Sequence, residues 1–401
     1  MKYRLDTKKP HIICLLLLIS FPSVAAVLIS PALPAIAQYY SVEPGAAQQL
    51  ITIFLVGYML GQLIYSPFAN RFGRKNATYI GIGTYLISCV VCLLATYIHS
   101  LETLIFGRFL MALGSSVGMI ITFTIINDFY HPKQSQTVTS YTVLSYAFMP
   151  AVAIAIGGFI TSTFSWILCF YFYIVYGFIL LIAVMQLPET LIEKEFGALK
   201  LKAITVNFNK AFRNWKLVIF STIAGLMGSL VYVTASGAPF IGIEIIGLKP
   251  VTYGLFILIP YLGQVLGALT SGWLSKKLPV YQTMNLAYSC IIFGVAIMIV
   301  SFAFKWVTIL TLIAPLTFIM FGIPMILSGS TVKALADFDD KATGASAMSF
   351  IMMFIAFCSN FSLTLLPAKN ALIMPVMFTA IMIIAVISLI HVKSKFKEKI
   401  N

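Results

Sequence analysis

Residues Gly61–Lys75 read GQLIYSPFANRFGRK, an apolar helical run that stops in a tight, basic turn. Upstream, Leu55, Val56, Leu60, Leu63 and Ile64 lead into Pro67. Downstream, Arg71, Arg74 and Lys75 flank Gly73 before a second long apolar run opens near Ala77. Two hydrophobic runs of about 20 residues joined by a short basic link read as two membrane helices connected on the cytoplasmic side. A glycine among the charges lets the chain reverse without a Cβ clash.

Composition carries the same reading across the chain. Of 401 residues, 60% are hydrophobic and 9% charged, against about 45–50% and 25% in soluble domains. That balance excludes a soluble protein. Apolar runs predict twelve spans, at roughly 11–37, 47–69, 77–98, 101–126, 139–162, 165–187, 216–241, 251–274, 282–302, 306–335, 344–366 and 371–392. The first run resembles a secretory signal up to Ala26, but it continues to Ala37, so an uncleaved helix is expected.

The polar segment 188–215 separates a six-helix bundle over 1–187 from a second over 216–401. The expected fold is therefore an all-α integral membrane protein of two pseudo-symmetric halves. A weak internal repeat supports it: LGQLIYSPFANRFGRK from Leu60 lies on LGQVLGALTSGWLSKK from Leu262, a shift of 202 residues. Transporters built from repeats bind substrate near the midplane between them. In the separating segment, Phe208, Phe212 and Trp215 are spaced as an apolar stripe, which predicts a helix lying on the membrane surface.

The net charge of +14 does not indicate nucleic acid, because the charge is spread over loops. With these spans, 22 of the 26 Lys and Arg fall on one side; Lys249, Lys305 and Lys369 lie opposite and Arg108 lies within a span. The positive-inside rule then places both termini in the cytoplasm. The six cysteines fall in apolar runs, and the Cys89-x-x-Cys92 pair reads as plain helix surface rather than a redox or zinc motif.

The turn around Gly73 resembles the signature loop between helices 2 and 3 of the major facilitator superfamily. Arg71, Gly73, Arg74 and Lys75 match that pattern; Ser66 and Asn70 stand where a glycine and an acid are usual. SPALPAIAQYY at Ser30, LPETL at Leu187 and ASGAPFIGIEIIGL around Pro239 resemble the bicyclomycin-resistance branch of its drug/proton antiporters. MPAVAIAIGGFI resembles the antiporter helix-5 motif, keeping Pro150, Gly157 and Gly158 with Ile154 at a second usual proline. The resemblance implies a bacterial inner-membrane transporter in which Asp128 pairs with the basic loop to close a cytoplasmic gate with Asn70, Arg71, Gly73, Arg74 and Lys75.

Arg108, the one charge well inside a span, is expected to face a polar cavity, because an intramembrane cation is costly. The alternative is a structural arginine bonded to backbone carbonyls. Polar or aromatic residues in apolar spans, namely Tyr58, Gln62, Thr122, Tyr146, Tyr232 and Asn360, are the other candidates for the cavity wall. Each could instead hold helices together.

Three acidic or basic positions that the resemblance implies are replaced, at Val27, Asn70 and Phe123, which counts against the family's usual proton route. The leading expectation is nevertheless proton-linked efflux of a small amphipathic compound, a drug or a metabolite such as a siderophore. Retained cations, Arg108 and Lys333, motivate a second reading, import or facilitation of a small anionic metabolite such as a polycarboxylate. A third is a receptor or scaffold on the same fold. The expected partners are a small-molecule substrate, protons and the bilayer, with a monomer as the working unit. No cofactor, metal or nucleic acid is expected. No P-loop, nucleophile elbow or metal-spaced histidine cluster occurs, and His11, His99, His131 and His391 lie at membrane edges, which argues against an enzyme and against ATP as the energy source.

Overall fold

The computed structural model describes residues 9–191, 194, 209, 211–336, 341–367 and 370–396. Among them are twelve helices long and apolar enough to cross a membrane. They are α1 (Ile12–Tyr40), α2 (Pro44–Phe72), α3 (Arg74–Tyr97), α4 (Leu101–Phe129), α6 (Leu168–Met185), α7 (Trp215–Ile245), α8 (Pro250–Leu274), α9 (Val280–Ala303) and α10 (Ile309–Leu335), with α5 (Pro132–Thr163), α11 (Lys341–Thr364) and α12 (Ile373–Phe396). No strand occurs among the described residues. An even number of crossings puts the first and last helix ends on one face, here called the terminus face; the opposite one is the far face.

Helices are the form this chain must take in lipid, since hydrocarbon offers no partner to a free N–H or C=O. Side chains sort by the same logic. Ile87, Leu94, Phe106, Ile182, Leu310 and Ile387 lie on the outside, where acyl chains cover them. Lipid gives helices no hydrophobic reason to associate, so small residues and interhelical hydrogen bonds decide where they meet. The α5 glycines illustrate the point. A Cβ on Gly157 would overlap the Leu28 carbonyl oxygen of α1, and one on Gly158 would overlap the Pro250 carbonyl oxygen of α8. Gly157 thus packs α5 within the first six helices, and Gly158 packs it against the last six.

Proline places the breaks that matter. In α1 the α-helical turns end at Val27, and a 3-10 turn over Ser30–Ala32 carries Pro31 before the helix resumes at Leu33. Proline lacks the amide proton that an α-helix needs and crowds the turn before it. Around Pro239 at the far end of α7, the chain widens into a π turn over Phe240–Ile245.

Six spans precede and six follow residues 186–214. Phe208 and Lys210 of the expected surface helix lie outside the described residues; beyond them, Phe212 meets the Phe350 ring edge-on at 6.0 Å and Trp215 meets His391 at the same distance. Cys89 and Cys92 differ from expectation. Both are fully buried, because Cys92 packs against Gly107 where α3 and α4 come close, so this pair faces the bundle interior rather than lipid.

Candidate substrate cavity and gates

A cavity of about 150 Å³ lies where the two sets of six helices face one another. From the first set come Ser23 and Val27 of α1, Tyr58 and Gln62 of α2, Met119 of α4, and Tyr146 and Pro150 of α5. Tyr232 of α7, Tyr261 and Gln264 of α8, Ile323 of α10, and Ser349, Met352 and Met353 of α11 close it from the second. Tyr58 and Gln62, four apart, share a helix face, as do Tyr261 and Gln264, three apart. Four tyrosines, Tyr58, Tyr146, Tyr232 and Tyr261, thus face the same space.

No charged side chain lines this cavity. Its surface consists of aromatic rings, methionine thioethers, aliphatic groups and a few neutral polar heads. Such a wall suits a ligand with a flat or flexible apolar body and a small number of uncharged polar groups.

Of the residues singled out from sequence, Tyr58, Gln62, Tyr146, Tyr232 and Pro150 are brought together here. Arg108, Thr122 and Asn360 are not. Thr122 turns its hydroxyl back onto the Gly118 carbonyl oxygen at 2.6 Å within its own helix. Arg108 is fully buried and donates to the carbonyl oxygens of Ala25 at 2.7 Å, Ala26 at 2.9 Å and Leu50 at 3.3 Å, with its guanidinium 4.8 Å from the Phe54 ring centroid. The cause lies in α1. Its α-helical turns end at Val27, next to the Ala25 and Ala26 carbonyls that Arg108 takes. The Tyr173 hydroxyl also donates to the Ala25 oxygen, at 3.0 Å. The carbonyl-bound alternative is therefore the arrangement observed.

Asn360 belongs to a seal toward the far face. Its side-chain nitrogen donates to Thr52 Oγ1 at 2.7 Å, and its oxygen accepts from Ser236 Oγ at 2.5 Å. Gln48 Nε2 donates to the Ser236 carbonyl oxygen at 3.3 Å, and the Ser30 hydroxyl donates to that of Ala235. These bonds tie α1 and α2 to α7 and α11, and all are buried and uncharged. On the outside, Leu16, Tyr141, Leu144 and Phe148 of the first set and Leu262 and Val265 of the second border an apolar cleft of about 530 Å³.

At the terminus face the basic turn is held within the first set. Gly73 has φ +105°, a conformation L side chains rarely adopt, and a Cβ there would also lie 2.6 Å from a Glu189 carboxylate oxygen. Arg74 Nε donates to Asp128 Oδ2 at 3.1 Å, and Arg74 Nη1 donates to the Ala69 carbonyl oxygen at 3.0 Å and to Asn70 Oδ1 at 2.8 Å. Thr190 donates to the same Asp128 oxygen at 2.9 Å. Glu189 caps α3: its two carboxylate oxygens accept from the backbone amides of Arg74 and Lys75, each at 3.0 Å. A carboxylate at a helix N-terminus meets both free amides and the positive end of the helix dipole. Lys75 Nζ donates to the Met185 carbonyl oxygen at 3.0 Å. Arg71 lies over the Phe72 ring, 5.8 Å from its centroid.

Sequence reasoning missed Glu189, Tyr261 and Gln264. The repeat held the signal for Gln264, since its 202-residue shift carries Gln62 onto it. Glu189 sits in LPETL, a stretch noticed for its resemblance and not for its charge.

Twelve spanning helices in two sets, a cavity between the sets and a seal on one side of it define a membrane transport protein. The Major Facilitator Superfamily profile matches residues 13–361, and the chain belongs to that family. Multidrug resistance protein D of Escherichia coli K12 is 24% identical over 340 residues, with 84% of each chain covered. A bicyclomycin resistance protein homologue of Haemophilus influenzae is 27% identical over 232 residues, 57% of each chain. Among solved structures, a peptide transporter of the POT type superposes with a TM-score of 0.74 at 14% identity, covering 97% of this chain and 96% of that one. The family and these relatives are transporters, not enzymes.

Proposed function

We propose that this protein exports a small, uncharged, amphipathic compound by alternating access across a bacterial inner membrane. The observation that carries the reading is the cavity wall, aromatic and thioether in character, drawn from both sets of helices and free of charge. The names of the resistance relatives favour outward movement of such compounds. The basic residues gathered on the terminus side favour placing that face in the cytoplasm. The conformation described is then closed toward the outside.

Two observations bear on the expected alternatives. All twelve Asp and Glu fall at span ends or outside the spans. A proton carried through the membrane needs a titrating group exposed to each side in turn, and the cavity has no carboxylate to serve. The cavity therefore carries no coupling ion, and outward flux follows from a higher internal concentration of the compound. The anionic reading rested on Arg108 and Lys333. Arg108 is occupied by carbonyls, and Lys333 lies over the Tyr281 ring, 4.6 Å from its centroid; neither lines the cavity.

Counterflow tests the proposal. Proteoliposomes loaded with unlabelled chloramphenicol, an uncharged aromatic amide with two hydroxyls, are diluted into labelled compound. Transient accumulation of label, unchanged by an imposed pH gradient, is expected. Accumulation of labelled citrate instead would establish the anionic reading. Chloramphenicol accumulation that follows the pH gradient and is lost in Asp128→Asn would restore proton linkage at the gate.

A further inference from the structure

The second set of helices offers the cavity two polar atoms with no partner. Gln264 Oε1 and Tyr261 Oη are both buried and make no hydrogen bond with any described residue. They lie one turn apart on α8 and both residues line the cavity. The repeat-related residue on the other wall differs, because Gln62 Nε2 reaches Met119 Sδ at 3.8 Å. The Tyr58 hydroxyl likewise donates to Met119 Sδ, at 3.2 Å. One wall has thus spent its polar heads on a thioether, and the other holds an open acceptor beside an open hydroxyl.

An unmet buried polar group is costly unless something else meets it. A structural role for this pair is absent from the geometry, since neither atom bonds a neighbouring helix. We propose that Tyr261 and Gln264 form a polar subsite that reads an amide or hydroxyl on the transported compound, Gln264 Oε1 accepting its N–H or O–H and Tyr261 donating to its oxygen. The apolar body of the compound then lies toward Val27, Met119 and Pro150. The subsite selects for a neighbouring donor and acceptor on an uncharged molecule and against a plain hydrocarbon of the same size. This inference rests on the proposed cavity transport and narrows its substrate class.

Equilibrium dialysis of labelled chloramphenicol against the purified full-length protein in detergent measures it, with Gln264→Leu, Tyr261→Phe and the double variant, and with labelled ethylbenzene as a probe lacking both donors and acceptors. Each single variant should weaken chloramphenicol binding about 2- to 10-fold, as expected for one lost hydrogen bond, and leave ethylbenzene binding unchanged. Melting temperature without ligand is the second readout. Atoms kept for a ligand burden the empty protein, so both variants should melt at or above the wild-type temperature. Variants that bind chloramphenicol as tightly as wild type would overturn the subsite and leave the export reading standing. Variants that melt lower than wild type would also overturn it, by showing that these atoms hold the fold. A wild-type protein that ignores chloramphenicol while both variants melt higher would sink export of that compound and support the subsite for another uncharged one.

Discussion

The two faces of this protein are held by different chemistry. At the far face, the halves meet through Asn360, Thr52, Ser236 and Gln48, all neutral and buried. At the terminus face, the ion pair and carboxylate cap of Arg74, Asp128 and Glu189 lie inside one half, and Asp128 and Glu189 are only partly covered. The contrast follows from what each contact must do. A seal between halves has to be broken in each cycle, and interhelical hydrogen bonds between neutral groups in a membrane contribute only about 0.6 kcal/mol on average. Water can replace them when the face opens. A charged cluster separated in a low dielectric would cost far more, so charges here fix the shape of a turn instead of joining the moving parts.

Arg108 tests that division most severely, since it is a buried charge that binds no acid among the described residues. Arg108→Ala removes the donor to the Ala25, Ala26 and Leu50 carbonyl oxygens, only the first of which keeps the Tyr173 hydroxyl, at a cost of about 1–3 kcal/mol or more. A large drop in melting temperature is expected by size-exclusion thermal analysis, and Arg108→Lys should fall between the two. Unchanged stability in Arg108→Ala would return this residue to the cavity wall.

Asn360→Leu comes next. It removes the bonds to Thr52 and Ser236, each worth about 0.6–1.7 kcal/mol in a membrane. Spin labels at the far-face ends of α2 and α11 should show a larger share of separated halves, with the fold intact. A distance distribution identical to wild type would mean that Asn360 is not part of the seal.

Charge changes at the other face should matter less. Glu189→Gln weakens the cap on α3 by about 0.3–1 kcal/mol, to be read as faster hydrogen exchange at the first turn of α3. Asn70→Asp puts a second carboxylate against Arg74 Nη1 and should add about 0.2–1 kcal/mol to the turn, the smallest effect of the set. If either variant separated the far-face labels as Asn360→Leu does, the two faces would not divide as described.

The fold was legible because lipid leaves few choices. Runs of apolar residues, Gly73 among basic residues and the bias of Lys and Arg to one side located the spans to within a few residues of the observed helices. The cavity was legible only in part. Tyr58, Gln62, Tyr146 and Tyr232 stood out as polar or aromatic in apolar spans, and they do meet. Asn360 and Thr122 carry the same signal in sequence, yet one binds across the seal and the other binds its own helix. Hydrophobicity along a span says little about which depth and which neighbour a residue faces. Arg108 depended on a feature outside its own helix, the broken turn of α1 before Pro31. Glu189 needed the knowledge that the chain leaving α6 returns beneath the N-terminus of α3.

Accessibility of a single cavity cysteine decides whether the uncharged cavity opens toward the terminus face while it is sealed from the far one. Ser349→Cys, in a chain whose six native cysteines are replaced, places a thiol on the cavity wall. A membrane-impermeant maleimide should label it from the terminus face in inside-out vesicles, and chloramphenicol should protect it. Labelling from the far face in right-side-out vesicles should require Asn360→Leu. Equal labelling from the far face without that substitution, or none from the terminus face, would contradict the arrangement of gates on which the proposed transport depends.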